Sequence, residues 1–141
     1  MKRRSLFELT GALLLFLSAG CMENSKDNNV EGLQFFRNEL EKNNISILNL
    51  EIVSNNTKLK YKTNRTTNQG LGDEIGAISA SYVLSRQNGL DTNRLISVIN
   101  DGNKDMATWH IRTEWIKEFE ADEISPDEFT GKILNTVELT N

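Results

Sequence analysis

A single cysteine, a single proline and a single histidine occur in these 141 residues. One cysteine cannot form an intramolecular disulfide, so the chain is not a small stapled scaffold. One proline and nine glycines exclude the proline-rich and collagen-like classes. One histidine cannot build a multi-histidine metal site, and no metal or cofactor motif of recognised spacing occurs, so no cofactor is expected. Past residue 20 no apolar run approaches the length of a membrane span, so attachment to a bilayer would have to come from the N-terminal stretch. An excess of positive charge is missing too. Sixteen Lys and Arg face twenty Asp and Glu, a formal charge of −4. Residues 1–20 carry Lys2, Arg3, Arg4 and Glu8, which leaves 13 bases and 19 acids, or −6, beyond them. That balance argues against nucleic acid as a partner.

What is there begins with an export pattern. Lys2, Arg3 and Arg4 form a basic stretch, Leu9 to Leu17 an apolar core too short for a mature span, and Ser18-Ala19-Gly20 a small-residue run before Cys21. Ser18-Ala19-Gly20-Cys21 resembles the lipobox of prokaryotic lipoproteins, in which the cysteine is lipidated and becomes the new N-terminus. Ser18 stands where that pattern usually has leucine. Arg3-Arg4-Ser5-Leu6-Phe7 resembles the twin-arginine export motif, and the Leu13–Leu17 run suits the general secretory route equally. The expectation is a signal peptide over 1–20, a lipid on Cys21, a flexible tether over 21–29 and one domain over 30–141, on the extracytoplasmic side of the cell membrane. An exposed thiol there would oxidise or cross-link unless capped. The alternatives are an unmodified thiol after a cleavage site, or a permanent membrane helix made of residues 1–20.

The rest of the chain alternates between two periods. Val30, Leu33, Phe36 and Leu40 have helical spacing, so a first helix is expected over Val30–Lys42. Ile45–Val53 reads as a strand whose phase slips at Ile47-Leu48, the mark of a bulge or of a strand covered on both faces. After a turn at Ser54-Asn55-Asn56, Thr57–Thr63 alternates Leu59 and Tyr61 against Lys58, Lys60 and Lys62. Gly70–Asn88 carries a helical stripe at Leu71, Ile75, Ile78 and Tyr82, with Gly72 and Gly76 on a bare flank suited to close packing, and Gly89 placed as a left-handed cap. A second hairpin is expected from Arg94–Asn100 and Met106–Thr113. A helical period then starts at Glu114, pauses near Glu123, and restarts at Ser125-Pro126-Asp127-Glu128 as a capping box. The order is α-β-β-α-β-β-α. It predicts a single α+β domain with a four-stranded, mainly antiparallel sheet and helices on one face.

Four groups of residues bear on function. His110 could act as a general base aided by Glu114 or Asp105, but no serine or cysteine sits in a recognisable elbow, so no catalytic residue is assigned and an enzyme is not expected. The acids Glu118, Glu120, Asp122, Glu123, Asp127 and Glu128 match no calcium loop, and suit the starts of helices. Lys58, Lys60 and Lys62 share one strand face, and His110 and Arg112 can join them, making a basic patch for anionic glycans, wall polymers or headgroups. The plainer alternative is that lysines guard an edge strand against aggregation. Asn44-Ile45-Ser46, Asn55-Asn56-Thr57 and Asn64-Arg65-Thr66 are glycosylation sequons.

Trp109 to Val137, a strand running into Glu114-Trp115, an acidic turn and a short final helix, resembles the C-terminal part of small archaeal lipoproteins, mostly haloarchaeal, with a domain of unknown function. The resemblance implies a lipoprotein and brings no activity with it. The functional expectation is therefore a membrane-held module that binds a protein or an anionic polymer through its exposed sheet face. A small surface hydrolase and an accessory subunit of a membrane complex are the alternatives.

Overall fold

The computed structural model describes residues 24–140. The expected signal segment and Cys21 lie outside the described residues. Helix α1 spans Asn24–Lys42, so the backbone from Asn24 to Asn29, read above as tether, belongs to the helix. Its packed part supports that extra turn, because adding residues to an existing helix is far easier than nucleating one. Asn29 also fixes it from the side, its Oδ1 accepting the Asp91 N–H at 2.8 Å. Phe36 and Leu40 are fully buried, whereas Val30, placed at the head of the same stripe, is 65% exposed.

Asn44, at φ 61°, turns the chain into β1 (Ser46–Val53), which pairs antiparallel with β2 (Asn56–Lys62). The register shifts between Ile47 and Asn49, where the sequence phase slips. Ser54 and Asn55 both take positive φ, 52° and 63°, as the tight two-residue hairpin turn requires. Helix α2 (Asn68–Gln87) then crosses to β3 (Arg94–Asn100), which lies parallel to β2. Parallel neighbours need such a crossover. β3 turns back into β4 (Asp105–Arg112), and two helices follow, α3 (Thr113–Glu120) and α4 (Pro126–Leu134). Ser125 and Glu128 close the capping box of α4 in both directions. β5 (Glu138–Leu139) pairs with Ala107 and Thr108.

The sheet is thus five-stranded and mixed, in the order β1-β2-β3-β4-β5, rather than four-stranded. A two-residue strand has no period to read, and the break at Asp122 (φ 60°) makes two helices of the expected last one. Four helices lie among the described residues. No helix among them is long and apolar enough to cross a membrane.

One core joins the helices to the inner sheet face. Phe36, Leu40, Ile75, Ile78, Tyr82, Ile116, Phe129 and Ile133 meet Leu59, Tyr61, Leu95, Ile99, Ala107, Trp109 and Ile111. Burial of these side chains is the main favourable term in folding. A buried hydroxyl node ties the crossover together. Thr92 Oγ1 lies 2.8 Å from both Thr57 Oγ1 and Tyr82 OH, and the Thr92 carbonyl accepts from Arg86 and from Thr113 Oγ1. Buried hydroxyls paired in this way avoid the cost of desolvation without a partner.

Two glycine expectations change. A Cβ at Gly72 or Gly76 meets nothing within 4 Å, so neither glycine is there for close packing. Gly89, at φ 106°, does cap α2 as expected. Gly89 N–H donates to Arg86 O and Leu90 N–H to Ser85 O, the paired bonds of a Schellman turn. The turn directs Leu90 into the core, where its backbone meets α1 at Gly32.

Candidate functional site

The face of the sheet away from the helices is where the polar side chains collect. Alternation along each strand decides this, because successive side chains point to opposite sides. Leu59 and Tyr61 are buried between Lys58, Lys60 and Lys62, and Leu95, Ser97 and Ile99 between Arg94, Ile96, Val98 and Asn100. On β4, Ala107, Trp109 and Ile111 point inward, so Thr108, His110 and Arg112 point outward.

Register fixes the layout of this outer face. Glu51, Lys58, Ile96 and His110 form one row across β1 to β4. Asn49, Lys60, Val98, Thr108 and Glu138 form the next. Arg94 and Arg112 are directly opposite on β3 and β4. All five cationic or titratable residues singled out from sequence, Lys58, Lys60, Lys62, His110 and Arg112, therefore share a face, with an Ile96-Val98 strip between the two groups. Arg94 was missed. Its strand reads as an apolar run, and only the alternation of Leu95, Ser97 and Ile99 places it outside.

β2 lies between β1 and β3, so its lysines do not guard a sheet edge. Edge protection, the plainer explanation of the three lysines, does not apply to an internal strand. Lys60 is paired with Asp105 at 3.3 Å and Arg112 with Glu114 at 3.2 Å. Lys58, Lys62 and Arg94 have no ion pair among the described residues. Two shallow hollows flank the strip. One, of about 180 Å³, lies over Lys58, Lys60, Ile96 and Val98. The other, of about 530 Å³, lies at the far edge by His110 and Trp115.

The two carboxylates named above as helpers of His110 are engaged elsewhere, Glu114 with Arg112 and Asp105 with Lys60 and Asn100. His110 instead stacks on Trp115, with ring centroids 5.9 Å apart and planes 23° from parallel. Its pKa is pushed below the ordinary value of 6.5, first by partial burial and then by Arg94 and Arg112, against a smaller opposing pull from Glu138. The folded chain thus resists protonation of this ring more than the unfolded chain does. The stability it contributes is present above the unfolded value and is lost as pH falls through the folded one. Since His110 is the only histidine, an NMR titration of its ring should give one transition, with a midpoint below 6.5 that moves up as salt screens the two arginines.

The sequon asparagines are all exposed. Asn44 and Asn55 hold positive φ in turns, a conformation that asparagine tolerates better than most residues, which accounts for both. The hydroxyl of Thr57 is buried against Thr92, so the second sequon is not accessible as a whole in the folded chain. Asn64-Arg65-Thr66 is exposed throughout. Among the described residues no three His, Cys, Asp or Glu side chains are grouped so as to hold a metal ion.

No curated protein and no solved structure matches the chain. Residues 27–141, which include every strand among the described residues, match the family described as a domain of unknown function, DUF8159, and the chain belongs to that family.

Proposed function

We propose that the chain is an extracytoplasmic lipoprotein, held at a membrane through lipid on Cys21, whose domain binds an anionic polymer on the outer face of its sheet. The observation that carries the reading is the concentration of Lys58, Lys60, Lys62, Arg94 and Arg112 on one face of a chain with more acids than bases. Arg94 opposite Arg112 is unfavourable for folding on its own, because like charges directly opposite repel. A bound anion would relieve that repulsion. The apolar strip of Ile96 and Val98 gives the same ligand a surface to cover. The resemblance of Trp109 to Val137 to archaeal lipoproteins supports an archaeal source, and the basic stretch before Leu9 and the small residues before Cys21 support the signal peptide and the lipobox.

Two measurements test it. The full chain should be retained on immobilised polyglutamate or polygalacturonate at low salt, and Lys58→Glu, Lys62→Glu and Arg94→Glu together should abolish retention while the circular dichroism spectrum is unchanged. Unchanged retention would refute the cationic face. Mass spectrometry of the native chain should find Cys21 as the first residue, carrying lipid. A chain beginning at Met1, or a free sulfhydryl, would end the membrane half of the reading.

A further inference from the structure

The larger hollow is built differently from the rest of the face. β5 covers only Ala107 and Thr108, so toward the Arg112 end the edge of β4 is met by the side chain of Thr136, whose Oγ1 accepts the His110 N–H at 2.9 Å. The chain between α4 and β5 stands away from β4 there and leaves a space of about 530 Å³. Thr108 and His110 line it from β4, Trp115 from α3, Lys132 from α4, and Asn135 and Glu138 from the segment that follows. Lys132 Nζ lies 5.8 Å from the centroid of the Trp115 ring.

Apart from the Thr136 hydroxyl and the approach of Lys132 to Trp115, the polar side chains lining this space have no protein partner among the described residues. Among the described residues, the Lys132 ammonium, the Glu138 carboxylate, the Asn135 amide and the Thr108 hydroxyl make no side-chain hydrogen bond or ion pair, although Lys132 and Glu138 line the same hollow. Elsewhere on the face Lys60 is paired with Asp105 and Arg112 with Glu114, while Lys58, Lys62 and Arg94 are as open as the groups in the hollow. A partly exposed indole beside a cation, a carboxylate, an amide and a hydroxyl offers donors and acceptors of both kinds around one apolar wall. A pyranose ring has the matching chemistry, with hydroxyls around its rim and C–H groups on its face. A phosphate or carboxylate chain without a ring would have no use for Trp115.

From these groups we infer that the hollow holds one sugar ring of an acidic polysaccharide, the rest of which crosses the cationic face. This rests on the reading of that face given above and names the class of its ligand. The row from His110 through Ile96 to Lys58 is the path of the polymer, covering two strand spacings, about 10 Å. Arg94 and Arg112 meet the acidic units beside it. The hollow chooses sugar over other backbones, and the sheet supplies the attraction for charge.

The test compares two polyanions on the full chain in detergent micelles, polygalacturonate and polyglutamate, matched in charge density and read by retention and by tryptophan fluorescence. Polygalacturonate should bind the more tightly. Trp115→Ala should weaken polygalacturonate binding by about tenfold, as the loss of one aromatic contact and its shielding implies, and leave polyglutamate binding unchanged. Asn135→Ala, at an exposed position, should weaken the same ligand severalfold and guards against a folding defect in the tryptophan variant. Equal affinity for the two polymers, with neither variant discriminating, overturns the inference and leaves the cationic face standing. Failure of both polymers to bind overturns the two together.

Discussion

Alanine at Gly32 is expected to lower stability by about 3 kcal/mol, although alanine within a helix ordinarily gains up to about 1 kcal/mol over glycine. The reversal of sign comes from one contact. A Cβ on Gly32 would lie 2.4 Å from Leu90 N, 2.6 Å from Leu90 Cα and 2.8 Å from Leu90 Cβ. These atoms cannot yield cheaply, because the Schellman turn after α2 fixes the Leu90 backbone and Leu90 is itself buried. Helix α1 would have to lift away, and the bond from Asp91 N–H to Asn29 would go with it. The controls lie in α2, where Gly72→Ala and Gly76→Ala meet open space and should each gain about 0.5–1 kcal/mol. Urea denaturation of the three variants reads all the signs. A Gly32→Ala chain as stable as its parent would mean that α1 does not approach Leu90 so closely.

Trp109→Ala should cost about 3–5 kcal/mol, the usual range for truncating a large buried aromatic ring. Trp109 is 1% exposed, and its indole N–H donates to Tyr61 OH at 3.1 Å. Trp109 is on β4 and Tyr61 on β2, so the pair spans β3, where the residue opposite Trp109 is the small Ser97. The alanine variant therefore opens a cavity across three strands and leaves a buried phenol without its donor. Burial already holds Tyr61 far above the ordinary phenol pKa, so the hydroxyl does not escape the loss by ionising. Trp109→Phe separates the two effects, keeping most of the volume and removing the donor, for about 1–3 kcal/mol. In a cycle with Tyr61→Phe, measured by thermal or urea unfolding, the two substitutions should be non-additive. Additive costs would show that the hydrogen bond contributes nothing.

The features legible in the sequence were those with a repeated local signature. The alternation of Leu59 and Tyr61 with three lysines fixed the exposure of β2, the slip at Ile47-Leu48 gave the bulge, and Ser125-Pro126-Asp127-Glu128 gave the start of α4. Whatever depends on partners distant in the chain was not legible. The parallel pairing of β2 with β3 leaves no local mark, and it made an internal strand of one that composition suggested was an edge. Arg94 joins Arg112 only through the β3–β4 register. The hollow draws on α3, α4 and β5, and a two-residue strand offers no period by which Asn135 and Glu138 could have been placed. Gly32 looked like any helix glycine, because its reason is a backbone atom 58 residues further on.

The ends of the sheet also bear on the membrane attachment proposed above. Chains attached to one membrane diffuse in a plane and meet far more often than the same number in solution, so an open strand at the rim would invite them to zip into ribbons. β1 ends the sheet on one side, and its bulge breaks the straight ladder that a second copy would need. On the other side β5 is only two residues long, and Thr136 and Thr140 close off β4 next to it. The molecule can therefore be crowded side by side without polymerising through its own backbone, and the outer face of its sheet stays open.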